Sequence, residues 1–577
     1  MSRLKFTVLL CLCLKTFAMA SKDTVEIRII QTSDVHGSFF PYDFINRTPC
    51  EGSMARISSY VKELRKHYGD NLLLLDNGDI LQGQPTCYYC NFVKPEMPNV
   101  AASVINYMKY DAQTIGNHDI ETGHAVYDKW IGEVKCDMLG ANVIDRKTDK
   151  PYLRPYKVFN KDGVKVAVIG MLTPAIPSWL NESLWSGLQF NDMLETARYW
   201  VNYLNKNEHP DFVIGLFHSG WENGIVTDEY KENASKAIAE NVPGFDLILY
   251  GHDHRSNAET VKCKDGHNVL CLNPSASAYF VSDATLRATV ENGKVVDTSV
   301  SGSLKDVSNM PIDNDFMAYF KADIDSINAF VNRKIGTFKH TISTRDSYFG
   351  NSAFCDFIHD LQLKITHADI SFNAPLSFDT SIKGGDVHVS DMFNLYKYEN
   401  QIYALRMTGK EIKNYLEMSY GLWTNTMKNP SDHIMLIGKE YGHGSHAWGF
   451  KNLAFNFDSA AGIDYEVDVT KEVGNKVKIL RMSDGRPFDE AQTYTVAMNS
   501  YRGNGGGELL TKGAGIPRDS IKSRIIFESE RDQRYYLIKE IEEGGVINPE
   551  PNSNWKFVPS SITEQAIVRD KKLLFGE

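Results

Sequence analysis

Residues 71–79 read NLLLLDNGD, an uninterrupted apolar run that ends in a polar cluster containing Asp76 and Asp79. Four consecutive leucines are typical of a strand that is buried on both faces. Similar runs recur through the first half of the chain and alternate with helical segments such as ARISSYVKELRKHY. They are EIRIIQTS (26–33), YDAQTIGN (110–117), MLGANVI (138–144), VKVAVIGML (164–172), FVIGLFHSG (212–220) and FDLILYGHD (245–253). This alternation predicts a layered α/β fold.

The composition is that of an ordinary globular protein with more than one domain. At 577 residues the chain is too long for one hydrophobic core, so we expect two large domains. Hydrophobic residues make up 42% of the chain and charged residues 23%, which excludes a disordered or fibrous protein. The formal net charge of -11 argues against a nucleic acid polymer as a partner.

The first twenty residues, MSRLKFTVLLCLCLKTFAMA, have the pattern of a secretory signal peptide. Arg3 and Lys5 precede an apolar run, and Ala18-Met19-Ala20 forms a small-residue cleavage pattern. Lys15 leaves that run too short for a membrane-spanning helix, and the chain ends without a hydrophobic tail for a lipid anchor. The sequence therefore predicts an exported protein, periplasmic or secreted, without a membrane anchor.

A change of periodicity marks the junction between the two domains. The stretch NDFMAYFKADIDSINAFVNRKI has apolar residues at three and four spacing, which predicts one amphipathic helix. The segments that follow it predict strands and helices of a second, smaller α+β domain. We place the signal peptide at 1–20, the layered domain at 21–310, the linker helix at 311–342 and the second domain at 343–577.

Five clusters at predicted strand ends carry side chains of the kinds that bind metals. They are SDVHG with Asp34 and His36, DNGD with Asp76 and Asp79, GNHD with Asn117 and His118, FHSG with His218, and GHDH with His252 and His254. Any one cluster alone is more typical of a helix cap or a structural histidine. Because each follows an apolar strand, we expect them to meet at the carboxyl edge of one sheet. Imidazole nitrogens mixed with carboxylate and amide oxygens favour two divalent ions, with Zn, Mn, Fe or Co as candidates.

Cys87 and Cys90 form a C-x-x-C pattern that admits several interpretations. Redox chemistry and zinc binding are two of them, but no second C-x-x-C completes a zinc quartet. A disulfide or a plain structural use is favoured. Without the leader the chain keeps an odd number of cysteines, seven, so at least one thiol stays unpaired.

The five motifs, in this order, resemble those of the calcineurin-like metallophosphoesterases. More closely, they resemble the family of 5'-nucleotidase and the bacterial 2',3'-cyclic-nucleotide 2'-phosphodiesterase/3'-nucleotidase. The second half is also similar, through YKYENQIYALRMTGKEIKNYLE, NFDSAAGIDYEVDVT and AMNSYRGNGGGEL. The resemblance implies a metallophosphoesterase domain followed by a substrate-binding domain, with a nucleotide as the small-molecule substrate. It does not indicate an oligomeric state.

The resemblance also implies roles for individual residues. The first metal site would comprise Asp34, His36, Asp79 and His254, and the second Asp79, Asn117, His218 and His252, with Asp79 bridging. His118 would face the phosphate and stabilise charge in the transition state. Glu121 would orient His118 through a hydrogen bond, at a position where the family's nucleotidases often have Asp.

Three residues of the second half are candidates for substrate binding. Phe457 and Tyr501 fall where the family places two aromatic rings around a nucleobase, although both could be core aromatics. The arginine pattern of 5'-nucleotidases is missing, and Asn373 opens an N-A-P segment like that of the cyclic phosphodiesterase branch. This favours 2',3'-cyclic and 3'-nucleotides. The alternatives are a 5'-nucleotidase or UDP-sugar hydrolase, a hydrolase of other phosphoesters or sulfur esters, and a non-catalytic secreted binding protein.

Overall fold

The computed structural model describes residues 22–442 and 446–576. The predicted signal peptide, residues 1–20, lies outside the described residues. Among the described helices, none has the length and apolar character needed to cross a bilayer. The chain folds into a layered unit of helices and two sheets, followed by a smaller α+β unit, which confirms the predicted fold class.

Strand Leu72–Asp76 lies inside a six-stranded sheet and is buried along its whole length. It pairs in parallel with Lys22–Thr32 on one side and Ala112–Thr114 on the other. Because these strands run in the same direction, the polar residues that follow them emerge at one edge of the sheet. In spatial order the strands are Lys294–Asp306, Phe280–Glu291, Lys22–Thr32, Leu72–Asp76, Ala112–Thr114 and Asp137–Leu139.

A second six-stranded sheet carries the remaining predicted strands of the first half. Strand Phe212–His218 lies between Val164–Leu172 and Leu247–Tyr250 and is parallel to both. The two outer strands, at opposite edges, are antiparallel to their neighbours. In spatial order the strands are Ser256–Lys262, Asn268–Pro274, Leu247–Tyr250, Phe212–His218, Val164–Leu172 and Tyr156–Lys161.

The two sheets pack face to face, so the expectation of one sheet was wrong. Leu73 and Leu75 share a core with Ile214 of the second sheet, whereas Leu72 and Leu74 belong to a core formed with helices. This division follows from the two-residue period of a strand, which sends alternate side chains to opposite faces. Burying each leucine contributes about 1.5 to 3 kcal/mol.

Helices cover the outer face of each sheet. They are Met54–Tyr68, Val100–Met108 and His124–Glu133 on the first sheet and Met193–Asn207 and Ser235–Asn241 on the second. The four layers leave the carboxyl edges of the two sheets uncovered by these helices. Both sets of strand-end clusters therefore open on the same side of the domain.

The connector is two helices rather than the single one predicted. They are Asn314–Tyr319 and Lys321–Val331, and Phe320 between them has φ -92° and ψ 12°. The Phe316 and Phe320 rings lie 4.7 Å apart, and both are fully buried in the core of the first domain. The two rings anchor the connector to that core. We keep 21–310, 311–342 and 343–577 as our proposal for the domain boundaries.

The second domain is built on a mixed five-stranded sheet. Strand Gln401–Thr408 leads directly into helix Gly409–Trp423, where Thr408 and Glu411 form a capping box. In spatial order the strands of the sheet are Ser459–Ala461, Ile370–Asn373, Thr493–Asn499, Gln401–Thr408 and Ile525–Asp532. Further helices are Ala353–Thr366, Gln533–Gly544 and Ser560–Phe575, and a smaller sheet contains Val477–Met482, Ile463–Asp468 and Trp555–Val558.

The two domains touch through hydrogen bonds beside the strand-end clusters. Asn181 of the first domain donates to the hydroxyl of Tyr403 at 2.5 Å and to the carboxylate of Glu528 at 2.9 Å. The hydroxyl of Tyr88 donates to Asp532 at 3.1 Å. These contacts place strands Gln401–Thr408 and Ile525–Asp532 of the second domain against loops and helices of the first domain.

Candidate metal centre and interdomain cleft

The structure brings the predicted ligands into two adjacent groups. The ligand atoms of the first group all lie within 4.8 Å of one another, and its members are Asp34, His36, Asp79 and His254. Within it, the Nε2 atoms of His36 and His254 lie 3.0 Å apart. Oδ1 of Asp34 lies 3.3 Å from Nε2 of His254. Residues 218 positions apart in the sequence therefore meet at one point.

The second group shares Asp79 with the first. Its ligand atoms from Asp79, His218 and His252 also lie within 4.8 Å of one another. Nε2 of His218 lies 3.2 Å from Oδ2 of Asp79. Oδ1 of Asn117 lies 3.1 Å from Nε2 of His218 and 2.8 Å from Nδ1 of His252. Asn117 thus completes a cluster of two imidazoles, a carboxylate and an amide oxygen.

Unsatisfied polar atoms in these groups fit a cation. Oδ2 of Asp79 is buried, and among the described residues its polar neighbour is Nε2 of the ligand His218 at 3.2 Å rather than a backbone or hydroxyl donor. Burial opposes protonation of His218, but Asp79 and Asp34 raise its pKa to about 10. The two carboxylates thus attract positive charge, and a divalent ion would replace the proton. The donor set of nitrogens and hard oxygens suits Zn, Mn, Fe or Co.

Five of the predicted ligand residues have a left-handed backbone. The φ angles are 51° at Asp34, 49° at His36, 55° at Asp79, 75° at His252 and 56° at His254. This region is sparsely populated by residues other than glycine, and holding one there costs on the order of 1 kcal/mol or more. The sharp turns directly after the strands are what aim these side chains back toward one another.

Two glycines of the motifs allow the close approach of the loops. A Cβ atom on Gly116 would lie 2.1 Å from Oδ1 of Asp79, and one on Gly251 would lie 2.4 Å from Oδ2 of Asp34. Both distances are far below van der Waals contact. The glycines of GNHD and GHDH are therefore needed so that loops from different strands can share one centre.

Hydrogen bonds from behind orient the imidazole rings. Nδ1 of His218 lies 2.7 Å from the carbonyl of Asn77, and Nδ1 of His36 lies 3.1 Å from the carbonyl of Gln82. In each ring this contact assigns the proton to Nδ1 and leaves Nε2 free to bind a metal.

Sequence reasoning missed Glu232, whose Oε1 lies 3.2 Å from Nε2 of His252. Glu232 lies outside the five motifs, so no sequence signal pointed to it.

Asp119 is a second residue that sequence reasoning missed. Its buried carboxylate accepts four backbone N–H groups, those of Gly116, Asp79, Ile80 and Leu81, at 2.8 to 2.9 Å. Burial and the neighbouring Asp79 raise the pKa of Asp119 to about 6. Asp119 thus fixes the loop that carries the shared carboxylate, and its place in the GNHD motif was the available signal.

His118 and Glu121 lie beside the shared carboxylate. Nδ1 of His118 lies 2.5 Å from Oε2 of Glu121. The backbone N–H of His118 donates to Oδ1 of Asp79 at 2.8 Å. Burial would lower the pKa of His118, but Asp79 and Glu121 raise it to about 9. The side chain of His118 is 25% exposed, so a positively charged ring can meet a ligand.

The interdomain cleft lies next to this centre. We use this name for the space lined by Glu121, Trp179, Asn181, Glu399, Ser500 and Tyr501. Its two walls come from different domains. The Trp179 ring lies 5.6 Å from the ring of His252, which links the cleft to the second ligand group.

Phe457 does not line the cleft, and its assignment as a base-stacking residue was wrong. Its ring is fully buried and stacks on Trp423 at 5.5 Å with an interplanar angle of 2°. Both faces of the ring are used by the core, so none is left for a nucleobase. The half-buried ring of Phe455, two residues earlier, lies 6.3 Å from that of Tyr501.

Asn373 is buried at the carboxyl end of strand Ile370–Asn373. Neither its Oδ1 nor its Nδ2 has a hydrogen-bond partner among the described residues. A buried amide without partners is costly, which singles out this side chain as one that a ligand would stabilise.

The cysteines of the described residues are all free thiols. Cys87 and Cys90 are buried, and burial raises the pKa of each thiol, that of Cys90 to about 12. Protonated thiols are poor nucleophiles and poor metal ligands. Of the interpretations left open by the sequence, structural use fits, and a disulfide does not.

Two family models match the chain. The model of the calcineurin-like phosphoesterases matches residues 27–256, and the model of the 5'-nucleotidase C-terminal domain matches residues 334–512. The chain belongs to the 5'-nucleotidase family. Members of this family are metallophosphoesterases, and the protein is therefore a phosphoric ester hydrolase.

Individual relatives agree with this family over most of their length. The 2',3'-cyclic-nucleotide 2'-phosphodiesterase/3'-nucleotidase of Haemophilus influenzae is 26% identical and covers 98% of this chain and 92% of its own. The 5'-nucleotidase of Vibrio parahaemolyticus is 23% identical over 68% of this chain and 75% of its own. A Staphylococcus aureus structure in complex with alpha-ketoglutarate has a TM-score of 0.73 at 21% identity, with 92% and 100% covered, which shows a shared fold.

Proposed function

We propose that the protein is an exported, dinuclear metal-dependent nucleotide phosphohydrolase that acts on 2',3'-cyclic and 3'-nucleotides. One observation carries the proposal: the cleft beside the metal-ligand groups has Tyr501 in its second-domain wall and Glu121 in its first-domain wall. A nucleotide fits between these walls in one orientation. Its base can stack on the ring of Tyr501, and its phosphate can lie near His118, which Glu121 holds.

The metal ions would be held by the two groups of side chains. We assign Asp34, His36, Asp79 and His254 to one ion and Asp79, Asn117, His218 and His252 to the other. When bound, such a pair of ions activates water and stabilises the entering and leaving oxygens at phosphorus. The chain's own contribution is to fix the ligands through strained turns and hydrogen bonds from behind.

We assign His118 to the phosphate. Its Nδ1–H donates to Glu121, which leaves Nε2–H to donate to a phosphate oxygen. The carboxylates around it stabilise the imidazolium form, so the ring brings a positive charge to the group that becomes more negative during hydrolysis. Glu121 acts through His118 and is a positioning residue.

We assign the base to the rings of Tyr501 and Phe455. Arg502 supports this pair from behind, because its buried guanidinium donates to the carbonyl of Phe455 at 2.8 Å and pairs with Asp458 at 3.0 Å. The two rings are edge to face, at 86°, so a base would enter as the rings turn toward it. Asn373 remains a candidate ligand-binding residue through its unsatisfied amide.

Two observations favour 2',3'-cyclic and 3'-nucleotides over 5'-nucleotides. The N-A-P segment at Asn373 stands where 5'-nucleotidases carry an arginine motif. The Haemophilus relative with the cyclic phosphodiesterase name covers more of the chain than the Vibrio 5'-nucleotidase does. A 5'-nucleotidase or UDP-sugar hydrolase is the alternative.

Phosphate release from a substrate panel tests this proposal. The panel contains 5'-, 3'- and 2',3'-cyclic nucleotides, a UDP-sugar and 4-nitrophenyl phosphate. We expect the cyclic and 3'-nucleotides to give the highest kcat/KM. A clear preference for AMP would assign the protein to the 5'-nucleotidases, and the absence of turnover with any phosphoester would support a binding protein. Mass spectrometry of the exported chain should give Ser21 as its first residue if residues 1–20 are removed.

A further inference from the structure

Glu399 is a buried carboxylate in the wall of the interdomain cleft. Its side chain is 9% exposed, and it lines the cleft together with Glu121 and Tyr501. Oε1 pairs with Arg534 at 2.8 Å, but Oε2 receives no hydrogen bond from the part of the chain that the structure describes. A buried carboxylate oxygen without a donor costs free energy unless a ligand supplies one.

Arg534 fixes the direction of this carboxylate. The guanidinium is fully buried and donates to the carbonyls of Tyr396 at 3.1 Å and Lys397 at 2.8 Å. It also lies 4.0 Å from the ring centre of Phe393. Since its donors are used on the segment that carries Glu399, Arg534 holds Oε1 in place, and Oε2 keeps no donor among the described residues.

The position of Glu399 decides which part of a substrate it meets. Glu121, in one wall of the cleft, holds His118, which we assigned to the phosphate, and Tyr501, in the other wall, was assigned to the base. The sugar of a nucleotide lies between its phosphate and its base. We propose that Oε2 of Glu399 accepts a hydrogen bond from a free ribose hydroxyl. Glu399 would thereby select nucleotides that carry a hydroxyl at this position of the sugar, an inference that rests on the proposed function.

The chemistry of a carboxylate supports a hydroxyl over other ribose substituents. An ionised carboxylate only accepts hydrogen bonds, and a hydroxyl is the donor that a ribose offers. Glu121 and Glu399 together place two acidic groups in the same cleft, which disfavours a second phosphate at this point. The expected ligand is a nucleotide with one phosphate group and a free hydroxyl on its sugar.

Binding requires the cleft to widen. Its volume of about 20 Å³ holds no more than a water molecule. The walls are held together by the bonds from Asn181 to Tyr403 and Glu528. If these bonds break and the domains separate, the sugar can enter the cleft. When the domains close again, the carboxylate of Glu399 would contact the sugar.

Deoxy analogues of the substrate test the inference. The variants are Glu399→Gln, which removes the charge at the same size, and Glu399→Asp, which keeps the charge and shortens the side chain. For a 3'-nucleotide the analogues are the 2'-deoxy and 5'-deoxy forms, and for a 5'-nucleotide the 2'-deoxy and 3'-deoxy forms. Each kcat/KM is divided by that of the same variant with 4-nitrophenyl phosphate, which has no sugar.

We expect Glu399→Gln to lower this ratio about 10- to 100-fold for the parent nucleotide, the effect of one hydrogen bond to a charged group. The deoxy analogue that lacks the bonded hydroxyl cannot form this hydrogen bond with either protein. With that analogue the variant and the unaltered protein should therefore give the same ratio. The matched control is Glu490→Gln, an exposed carboxylate of the second domain paired with Lys413, which should leave every ratio unchanged.

Other outcomes separate the two proposals. If Glu399→Gln lowers the kcat/KM ratio equally for the parent nucleotide and for every analogue, Glu399 has a structural role through Arg534. If Glu399→Gln leaves the ratio for the parent nucleotide unchanged, the inference is also overturned. Should Glu399→Gln fail to fold by thermal melting, the same comparison is made with Glu399→Asp. Hydrolysis of 4-nitrophenyl phosphate but of no nucleotide by the unaltered protein would instead overturn the proposed function.

Discussion

The backbone N–H of His118 donates to Oδ1 of Asp79 at 2.8 Å, so the residue assigned to the phosphate is bonded to the carboxylate that both ligand groups share. The other oxygen of Asp79 lies toward His218, 3.2 Å from its Nε2. One side chain therefore connects the two ligand groups and fixes the place of His118 relative to both.

Replacement of this shared carboxylate should be far more harmful than replacement of its neighbour in the motif. We expect Asp79→Asn to lower kcat/KM on the order of 100-fold or more and to lower metal content, because both groups lose a charge. Asp76→Asn should be mild, since burial raises the pKa of Asp76 to about 7 and the neutral amide resembles its protonated form. Equal effects of the two changes would mean that the wrong aspartate has been assigned as the bridge.

Metal analysis should find close to two divalent ions per chain in the purified protein. A chelator should abolish phosphate release, and re-addition of Zn, Mn, Co or Fe should restore it to different extents that identify the preferred ion. A protein that holds no metal at neutral pH and is indifferent to the chelator would contradict the dinuclear assignment.

Glu121→Gln should reduce turnover without removing metal. The carboxylate lies 2.5 Å from Nδ1 of His118 and outside both ligand groups. Loss of such a supporting group costs about 10- to 100-fold in activity. The measurement is kcat together with metal content, and a parallel loss of metal would show that Glu121 supports the ligands rather than His118.

Alanine substitutions should distinguish the base-binding rings from the core. Phe455→Ala and Tyr501→Ala should each weaken nucleotide hydrolysis by about 1 to 3 kcal/mol in kcat/KM, with little effect on 4-nitrophenyl phosphate. Phe457→Ala should instead destabilise the fold by about 3 to 5 kcal/mol, because its ring is packed in the core. Activity with both substrate types and the melting temperature are measured for each variant. A nucleotide-specific defect in Phe457→Ala at unchanged stability would reverse this assignment.

The stability of the second domain should depend on pH through His359. This ring is fully buried, and burial lowers its pKa to about 3, against about 6.5 in the unfolded chain. The unfolded state therefore binds one more proton between these values, and the free energy of unfolding falls by about 1.4 kcal/mol per pH unit as the pH is lowered through this range. Above pH 6.5 this contribution is constant.

Denaturant unfolding at pH 7.5 and pH 5.5 checks the sign and the size of this effect. His359→Gln keeps a group that can bond to Ser371 and Ser459 but cannot titrate. We expect the variant to lose less stability than the unaltered protein when the pH is lowered. The exposed His67→Gln is the control and should behave like the unaltered protein. An unchanged pH dependence in His359→Gln would mean that other groups dominate.

The strands and the ligand clusters could be predicted because both depend on local patterns. Four leucines before Asp76 specify a buried strand, and a strand end places its polar residues at a sheet edge. The number of sheets could not be predicted. The strands that contain Leu73 and Ile214 have similar apolar sequences, and nothing in these sequences shows that the two strands belong to different sheets. Pairing depends on contacts that are distant along the chain.

Some residues of the site could not be assigned from motifs, because their roles depend on packing and on contacts between distant parts of the chain. Phe455 and Phe457 stand two positions apart around Asn456, and only packing against Trp423 shows which ring is used by the core. Glu232 and Glu399 are single carboxylates without a spacing signal, so their contacts with His252 and Arg534 emerge only from the fold. The break at Phe320 likewise has no signal in the sequence, whose apolar spacing continues through it.

The left-handed turns limit how the centre can change over evolution. Asp and His, with Asn, are the residues other than glycine that most readily adopt this backbone, and all five turn positions hold Asp or His. Exchange among these residue types preserves the path of the chain while it alters the hardness and charge of the donors. The ion preference of the scaffold can therefore drift by single substitutions, whereas a change to any other residue type would be opposed by the backbone as well as by the chemistry.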